Sequence, residues 1–256
     1  AATILLSCVT VKAQELVIRI DDMGAFHSVN VTSIDTYRNG IAKSVEVLAV
    51  GAWFPEAVKM LKENPGLDVG IHLAITSEWE NVKWRPLTNC PTLVDENGYF
   101  FPMLAPNPAY PGQSVFENME KFDIKEIEQE FRAQIELALK NIPNITHLSG
   151  HMMSTGFSKE VNEMVKRLSA EYGLPSIDRM DSGKEYGFEY IGYDGPKATA
   201  QEKIASFIKA LEKMEEGKTL LTVTENGFGK RTELAEYLRT GPNGEKIPQS
   251  RGGKGL

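Results

Sequence analysis

The sequence predicts an α/β fold on a parallel sheet, a (β/α) barrel or a distorted relative of one. Short runs rich in Val, Ile and Leu alternate with longer stretches of amphipathic helical periodicity. The chain has 256 residues, 41% of them hydrophobic, which is enough for a sizeable core. In folds of this class the carboxyl ends of the strands carry the chemistry.

Four predicted strands and four predicted helices make up this alternation. The strands are LVIRID (16–21), KSVEVLAV (43–50), LDVGIHLAI (67–75) and ITHLSGHM (145–152). The helices cover 53–66, 123–141, 158–171 and 199–216. Pro55 fits the first turn of the first helix, and Asn64-Pro65-Gly66 fits its end.

A long connection, residues 76–122, interrupts the alternation between the third strand and the second helix. It is longer than an ordinary βα connection and rich in Pro, Trp, Tyr and Phe. It predicts a lid or a groove wall whose aromatic faces meet a sugar ring, with Trp79, Trp84 and Arg85 as candidate substrate contacts beside Tyr99 and Phe100. The alternative is that these aromatic residues close the end of the barrel.

The first residues resemble the remnant of a signal peptide. They are mostly apolar up to Val11, and Val11-Lys12-Ala13 fits the small-x-small pattern of a cleavage site, so residues 1–13 are assigned to a leader. Export to the periplasm or cell surface is expected, with lipid attachment at Cys8 as an alternative. No later stretch is long enough to span a membrane.

Three of the four histidines lie in or beside predicted strands. Strand alternation places His72 among small residues on one face, and puts His147 and His151 on a shared face. Asp22 ends the first strand, so Asp22, His72 and His151 converge at one point. One carboxylate and two imidazoles are a common ligand set for a catalytic divalent cation, zinc or magnesium here. The neighbouring Asp21 can take a proton from a metal-bound water.

Each of these features has a plainer interpretation. A pair of aspartates at a strand end is often a solvated turn, and a single strand histidine is often a hydrogen-bonded core residue. The metal-site hypothesis depends on all of them occurring together.

With RIDDMG, DVGIHLAIT and ITHLSGHM in this order, residues 15–217 resemble the YdjC (ChbG-like) family of carbohydrate deacetylases. The resemblance implies a barrel-like fold related to TIM barrels and polysaccharide deacetylases. It implies a divalent metal on Asp22, His72 and His151, and Asp21 as the base that removes an N-acetyl group from an amino sugar.

The chain departs from the family pattern in two places. The family commonly shows H-x-D-S-H-x-H around the last motif, and here Ser149 and Met153 replace the aspartate and the final histidine. No histidine follows His151. The expected general acid for the leaving amine is therefore missing, and His147 or a water would have to replace it.

The last residues, 219–256, differ from the body in charge. They hold six Lys or Arg against four Glu, whereas residues 1–218 hold 22 against 31 acidic residues. They resemble one blade of the C-terminal DNA-wrapping domain of DNA gyrase, with Arg251 and Lys254 in QSRGGKG as candidate phosphate contacts. A solvated basic loop is the alternative.

A single blade cannot bury its own apolar face, so a chimeric tail joined near Lys218 is predicted. Its first residues, TLLTVTE, are expected to pair as a final strand. The chain from residue 226 onward is expected to be irregular.

These observations favour a metal-dependent hydrolase acting on acetylated amino sugars or oligosaccharides, impaired if its carboxyl end has been replaced. A noncatalytic sugar-binding barrel is the main alternative, and DNA binding through the tail is a third. The formal net charge of −7 argues against a nucleic-acid partner for the chain as a whole. A homo-oligomer is compatible with the sequence.

Overall fold

The computed structural model describes residues 15–115, 122–190, 199–212, 219–223, 238–240 and 246–248. The strands are β1 (Glu15–Met23), β2 (Ser44–Val47), β3 (Asp68–Leu73), β4 (Ile145–Gly150), β5 (Phe188–Tyr190), β6 (Thr219–Val223), β7 (Leu238–Thr240) and β8 (Lys246–Pro248). The helices are α1 (His27–Asn39), α2 (Phe54–Lys62), α3 (Ile124–Asn141), α4 (Lys159–Tyr172), α5 (Ser182–Tyr186) and α6 (Ala200–Glu212).

Six parallel strands form one sheet in the order β4-β3-β2-β1-β6-β5. Beyond β4, Ser176 makes a parallel bridge to Leu148 and extends the sheet by one more short segment. The predicted parallel α/β architecture is therefore confirmed. Among the described residues this arc is not closed into a ring, although its strand order is compatible with a barrel.

Strand alternation separates an apolar face from a polar face. The apolar face packs under helices, α3 contributing Phe131 and Ile135 to the same core cluster as Ile71 and Leu148. The opposite face is lined by buried polar side chains, which are Arg19, Glu46, His72, His147 and Ser149. The predicted alternation of β3 and β4 is thus confirmed, and the polar face holds the candidate site.

The long connection after β3 packs against the body as far as it is described, to residue 115. Phe100 is fully buried and Trp84 is 3% exposed, both within the main core cluster. The buried Glu130 of α3 accepts backbone N–H bonds of 2.9 and 3.0 Å from Thr88 and the residue before it. For Trp84 and Phe100 these contacts favour the alternative in which the aromatic residues close the end of the fold.

Helix α1 has no counterpart in the sequence prediction. Its sequence is rich in β-branched and small polar residues, and it carries little amphipathic signal. Tertiary contacts stabilise it instead: the buried Asn30 accepts a 2.7 Å bond from Gly24 N and donates to Trp53 O and Glu56. Asn30 thereby joins the loops that follow β1 and β2.

The carboxyl end of the chain is partly described. Residues 219–223 pair in parallel with β1, as expected for a final strand. Strands β7 and β8 pair antiparallel, which corrects the expectation of an irregular chain for these six residues. The GPNGE segment between them is rich in turn-forming residues, which the sequence prediction did not weigh.

Several predicted features lie outside the described residues. These are the leader at 1–13 with Cys8, and Arg251 and Lys254 of the tail. None of the helices in the described part of the chain combines the length and hydropathy that a bilayer span requires.

Candidate metal centre

Asp22, His72 and His151 meet at the carboxyl ends of β1, β3 and β4. His151 Nδ1 lies 3.0 Å from Asp22 Oδ1, and His72 Nε2 lies 3.5 Å from the same oxygen. One ligand atom from each residue lies within 4.8 Å of the other two. Both imidazoles are 3% exposed, whereas the Asp22 side chain is 24% exposed, so the pocket formed by these three residues reaches solvent on the side of the carboxylate.

The backbone at the end of β1 turns Asp22 into this pocket. Strict alternation would point Asp21 and Asp22 to opposite faces of the sheet. The pairing of β1 with β2 has an irregularity between Ile20 and Met23, and Asp22 has φ 69°, in the left-handed region. A bulge of this kind re-aims a side chain, and positive φ is costly for a non-glycine residue. The strain points to a functional requirement at Asp22.

The donor set suits a divalent cation. Ligands about 2.1 Å from a metal lie roughly 3.0 to 3.4 Å apart in octahedral or tetrahedral geometry. The two distances from Asp22 Oδ1, 3.0 and 3.5 Å, are close to this spacing. The three residues therefore fit a cation held by one carboxylate oxygen and two imidazole nitrogens.

His151 lies between two carboxylates. Its Nδ1 lies 3.0 Å from Asp22 Oδ1 and its Nε2 lies 2.9 Å from Glu78 Oε2, both within hydrogen-bond distance. Burial acts to lower the pKa of His151, but these hydrogen bonds and charges outweigh it and raise the pKa to about 10. Burial acts to raise the pKa of Asp22, and the bond from His151 with the nearby positive charges outweighs it, so that pKa is lowered. A proton and a metal ion would therefore compete for His151 Nδ1 and Asp22 Oδ1.

Asp21, the proposed base, forms a bidentate pair with Arg19. Arg19 Nε lies 2.7 Å from Asp21 Oδ1, and a second guanidinium nitrogen lies 3.2 Å from Oδ2. The same arginine donates to both oxygens of Asp178, each at 3.2 Å. Burial raises the pKa of Asp178 and the positive charge of Arg19 only partly offsets this. One arginine is therefore shared among several carboxylates.

Glu46 lies deeper on the same polar face and is fully buried. It accepts a 2.6 Å bond from His147 Nε2 and a short bond from the Ser149 hydroxyl, and Arg19 Nε lies 3.7 Å away. Burial acts to raise the pKa of Glu46, but His147 and Arg19 outweigh it and lower the pKa to about 2. Glu46 is therefore ionised in the interior of the protein.

The predicted substrate-contact residues fall in different places. Trp79 is partly buried with its ring 4.8 Å from Phe26 and 5.4 Å from Trp84, and Trp84 lies 5.7 Å from the ring of His151. The exposed Arg85 lies 4.5 Å over the ring of Tyr99, in its own segment. Trp84 therefore contacts His151 directly, whereas Trp79 packs on the outer side of Trp84 with part of its surface accessible.

His147 is buried away from the pocket opening. Its Nε2 bonds Glu46, and its Nδ1 bonds Thr146 Oγ1 over 2.7 Å. The Thr146 hydroxyl in turn donates to Asp68 over 2.6 Å. Because both ring nitrogens are in use and the side chain is 9% exposed, His147 is not placed to protonate a leaving amine.

Charged partners of the site that sequence reasoning missed include Arg19, Glu46 and Glu78. The first two had a signal, because each is a charged residue inside a strand that is otherwise typical of a buried one. Glu78 gave none, since it stands among other polar residues of the long connection.

The sequence model of the YdjC-like protein family matches residues 15–242. The matched range covers most of the chain and includes the whole parallel sheet. It also runs past Lys218, near which the sequence predicts a junction with a foreign tail.

Curated proteins with similar sequences are carbohydrate deacetylases. Carbohydrate deacetylase 2 of Listeria innocua is 30% identical over 182 residues, which cover 70% of this chain and 64% of that protein. The carbohydrate deacetylase of Thermus thermophilus is 32% identical over 159 residues, 62% of this chain and 51% of that protein. The match thus spans less than two thirds of either relative.

A similar solved structure comes from Enterococcus faecalis, a protein assigned to cellobiose-phosphate cleavage. It superposes with a TM-score of 0.65 at 26% identity, covering 82% of this chain and 80% of that one. The fold described above is therefore shared over most of both chains.

Proposed function

This chain belongs to the YdjC-like protein family, and from the geometry of its site we propose that it is a metal-dependent carbohydrate deacetylase. The proposed reaction is hydrolysis of the N-acetyl group of an amino sugar or oligosaccharide. The observation that carries the proposal is the meeting of Asp22, His72 and His151 at the strand ends. The names of the curated relatives support the substrate class.

In this proposal each residue has a role that its position permits. Asp22, His72 and His151 hold the cation. When bound, the cation supplies Lewis-acid chemistry, polarising the acyl oxygen and lowering the pKa of water. Asp21 takes the proton from the attacking water, and its pairing with Arg19 keeps its carboxylate in one orientation. The leaving amine would take its proton from a water molecule, because both ring nitrogens of His147 are in use. Trp79 forms a wall for the sugar ring.

A noncatalytic sugar-binding barrel is the second candidate. The observation that favours it is the bidentate pair itself, because Arg19 occupies both oxygens of the only proposed base. Each oxygen of this carboxylate already accepts an N–H bond from Arg19, which leaves less room for contact with an attacking water. The two candidates differ in whether acetate is released.

The test measures bound metal and acetate release from a panel of acetylated amino sugars. The variants are Asp22→Ala, His72→Ala and His151→Ala. Each should lose more metal affinity than the roughly 10- to 100-fold typical of residues that only support a ligand. Each should also lose acetate release.

His27→Ala is the matched control, because His27 lies on α1, where its side chain is 59% exposed and paired with Glu56. It should leave both quantities unchanged. Unchanged metal content in the three site variants would refute the ligand assignment. Metal binding without acetate release by the parent would establish the noncatalytic alternative.

A further inference from the structure

We infer that Glu46 is a positioning residue that acts through Ser149 to fix the tautomer of His72 and so strengthens metal binding. The inference deepens the proposed function and rests on the assignment of His72 as a ligand. It concerns a buried carboxylate on β2, the strand next to the one that carries His72.

A continuous chain of hydrogen bonds links the two residues. Ser149 Oγ donates to Glu46 Oε2 and lies 2.7 Å from His72 Nδ1. Ser149 and Glu46 are fully buried and His72 is 3% exposed, so water does not compete for these bonds. Ser149 and His72 are also direct cross-strand partners in the parallel pairing of β4 with β3.

The direction of the protons follows from Glu46. An ionised carboxylate is an acceptor only, so the single hydroxyl proton of Ser149 must point to Glu46. The Ser149 oxygen is then left as an acceptor toward His72, and Nδ1 of His72 must carry a proton. In neutral His72 this leaves the lone pair on Nε2, the atom that faces Asp22 Oδ1 at 3.5 Å. Two acceptor atoms facing each other at that distance repel each other unless a proton or a cation lies between them.

The surroundings of Glu46 hold its carboxylate in place. Glu46, Gly70 and His147 are aligned across three strands, with glycine in the middle. A Cβ at Gly70 would lie 2.2 Å from Glu46 Oε2 and 2.4 Å from His147 Nε2, so any side chain there would collide with the pair. Because Gly70 has no side chain, Glu46 and His147 can contact each other across the backbone of β3.

The same arrangement explains one departure from the family pattern. Ser149 stands where that pattern commonly has an aspartate. In this chain the carboxylate is that of Glu46 on β2, and the Ser149 hydroxyl links it to His72 by hydrogen bonds. A carboxylate placed at position 149 should therefore replace Ser149 and Glu46 together as the hydrogen-bond partner of His72 Nδ1.

The first experiment reads the tautomer directly in metal-free protein. Nitrogen-15 NMR of histidine-labelled protein can distinguish the two neutral forms, and with four histidines the signals can be assigned by substitution. The parent should show His72 with its proton on Nδ1. Ser149→Ala and Glu46→Met should each shift His72 toward the Nε2-protonated form.

The second experiment measures Zn²⁺ affinity against a competing chelator. Ser149→Ala and Glu46→Met should each lose about 10- to 100-fold in affinity, the usual effect of removing an outer partner of a ligand. The double variant Glu46→Met with Ser149→Asp should recover most of it, because the introduced carboxylate would accept the Nδ1 proton directly. A purely structural role of Glu46 would not be rescued in this way.

Two controls complete the design. Ser33→Ala removes another fully buried hydroxyl, which bonds Val29 O within its own helix, and should change neither the tautomer nor the affinity. Ser149→Ala keeps the ion pairs of Glu46, so it remains informative if Glu46→Met does not fold. A parent His72 protonated on Nε2, unchanged affinity in Ser149→Ala, or absence of rescue would overturn the inference. The tautomer is measured without metal or substrate. The result therefore does not depend on whether the protein has the proposed deacetylase activity.

Discussion

Two groups of charged residues share the polar face of the sheet, and they differ in how their charges are matched. In the inner group, His147 and Ser149 donate to Glu46. Arg19 lies 3.7 Å from Glu46 and donates its own hydrogen bonds to Asp21 and Asp178, so each charge has a partner. The outer group is Asp22, His72 and His151. Here Asp22 Oδ1 and His72 Nε2 face each other at 3.5 Å. When His72 is neutral and protonated on Nδ1, neither of these two atoms carries a proton.

This difference separates a structural cluster from a candidate functional one. Buried charges are tolerated when they are paired, and the inner group meets that condition within the protein. The outer group meets it only with an added proton or cation. The strained backbone lies there too, with positive φ at Asp22 and at Met152 and Met153 just after His151.

The largest expected effect comes from Asp21→Asn, which tests whether the outer group is catalytic. The variant keeps the size of the side chain but removes the base. The rate of acetate release should fall by about 10²- to 10⁴-fold, the usual contribution of a positioned base. Zn²⁺ affinity should stay close to that of the parent, because Asp21 is not a proposed ligand.

Asp68→Asn is the matched control for this prediction. Asp68 is an aspartate at the other end of β3, where it accepts bonds from Ser44 and Thr146. It should retain most of the acetate release. Full activity in Asp21→Asn would remove Asp21 from the reaction and leave the outer group as a binding site only.

The second prediction concerns the pH dependence of the inner group. The pKa of Glu46 is about 2 in the folded protein, against an ordinary value of 4.5. A lowered acid pKa stabilises the fold fully above about pH 4.5, and the contribution is lost as the pH falls toward 2. The difference in unfolding free energy between the parent and Glu46→Met should therefore drop by on the order of 3 kcal/mol over this range.

Urea unfolding at several pH values between 7 and 2 measures this difference. Comparing the two proteins at each pH cancels the titration of groups that they share. If the difference in unfolding free energy did not change with pH, Glu46 would not be ionised in the interior. The inner group would then not be a set of paired charges, and it would not differ from the outer group in this respect.

The sequence predicted the strands and the three candidate ligands because strand alternation and strand ends are local properties. His72 lies among small residues and His151 follows a strand, and both features are visible in a few letters. The predicted helices of the body also appear, and α3 begins at Ile124, where the Asp123 side chain accepts a bond from Lys125 N.

The rest depends on contacts that local patterns do not encode. The bulge that turns Asp22 toward His151 arises from the pairing of β1 with β2. Helix α1 is stabilised by Asn30, whose partners lie on two different loops. Glu78 reaches His151 from 73 residues away. The sequence predicts Trp84 as a candidate for sugar stacking, but its position in the core follows from how the long connection packs.

The smallest expected effect is that of Glu78→Gln, which tests how far the outer group extends. Glu78 Oε2 accepts a 2.9 Å bond from His151 Nε2 and so favours the orientation in which Nδ1 faces Asp22. Glutamine keeps an acceptor but removes the charge, so Zn²⁺ affinity should fall by about 10-fold, the lower end for an outer partner. Glu80→Gln, an exposed carboxylate two residues away, should leave the affinity unchanged. Equal affinities in both variants would restrict the outer group to Asp22, His72 and His151, and the orientation of His151 would then depend on its packing against Trp84.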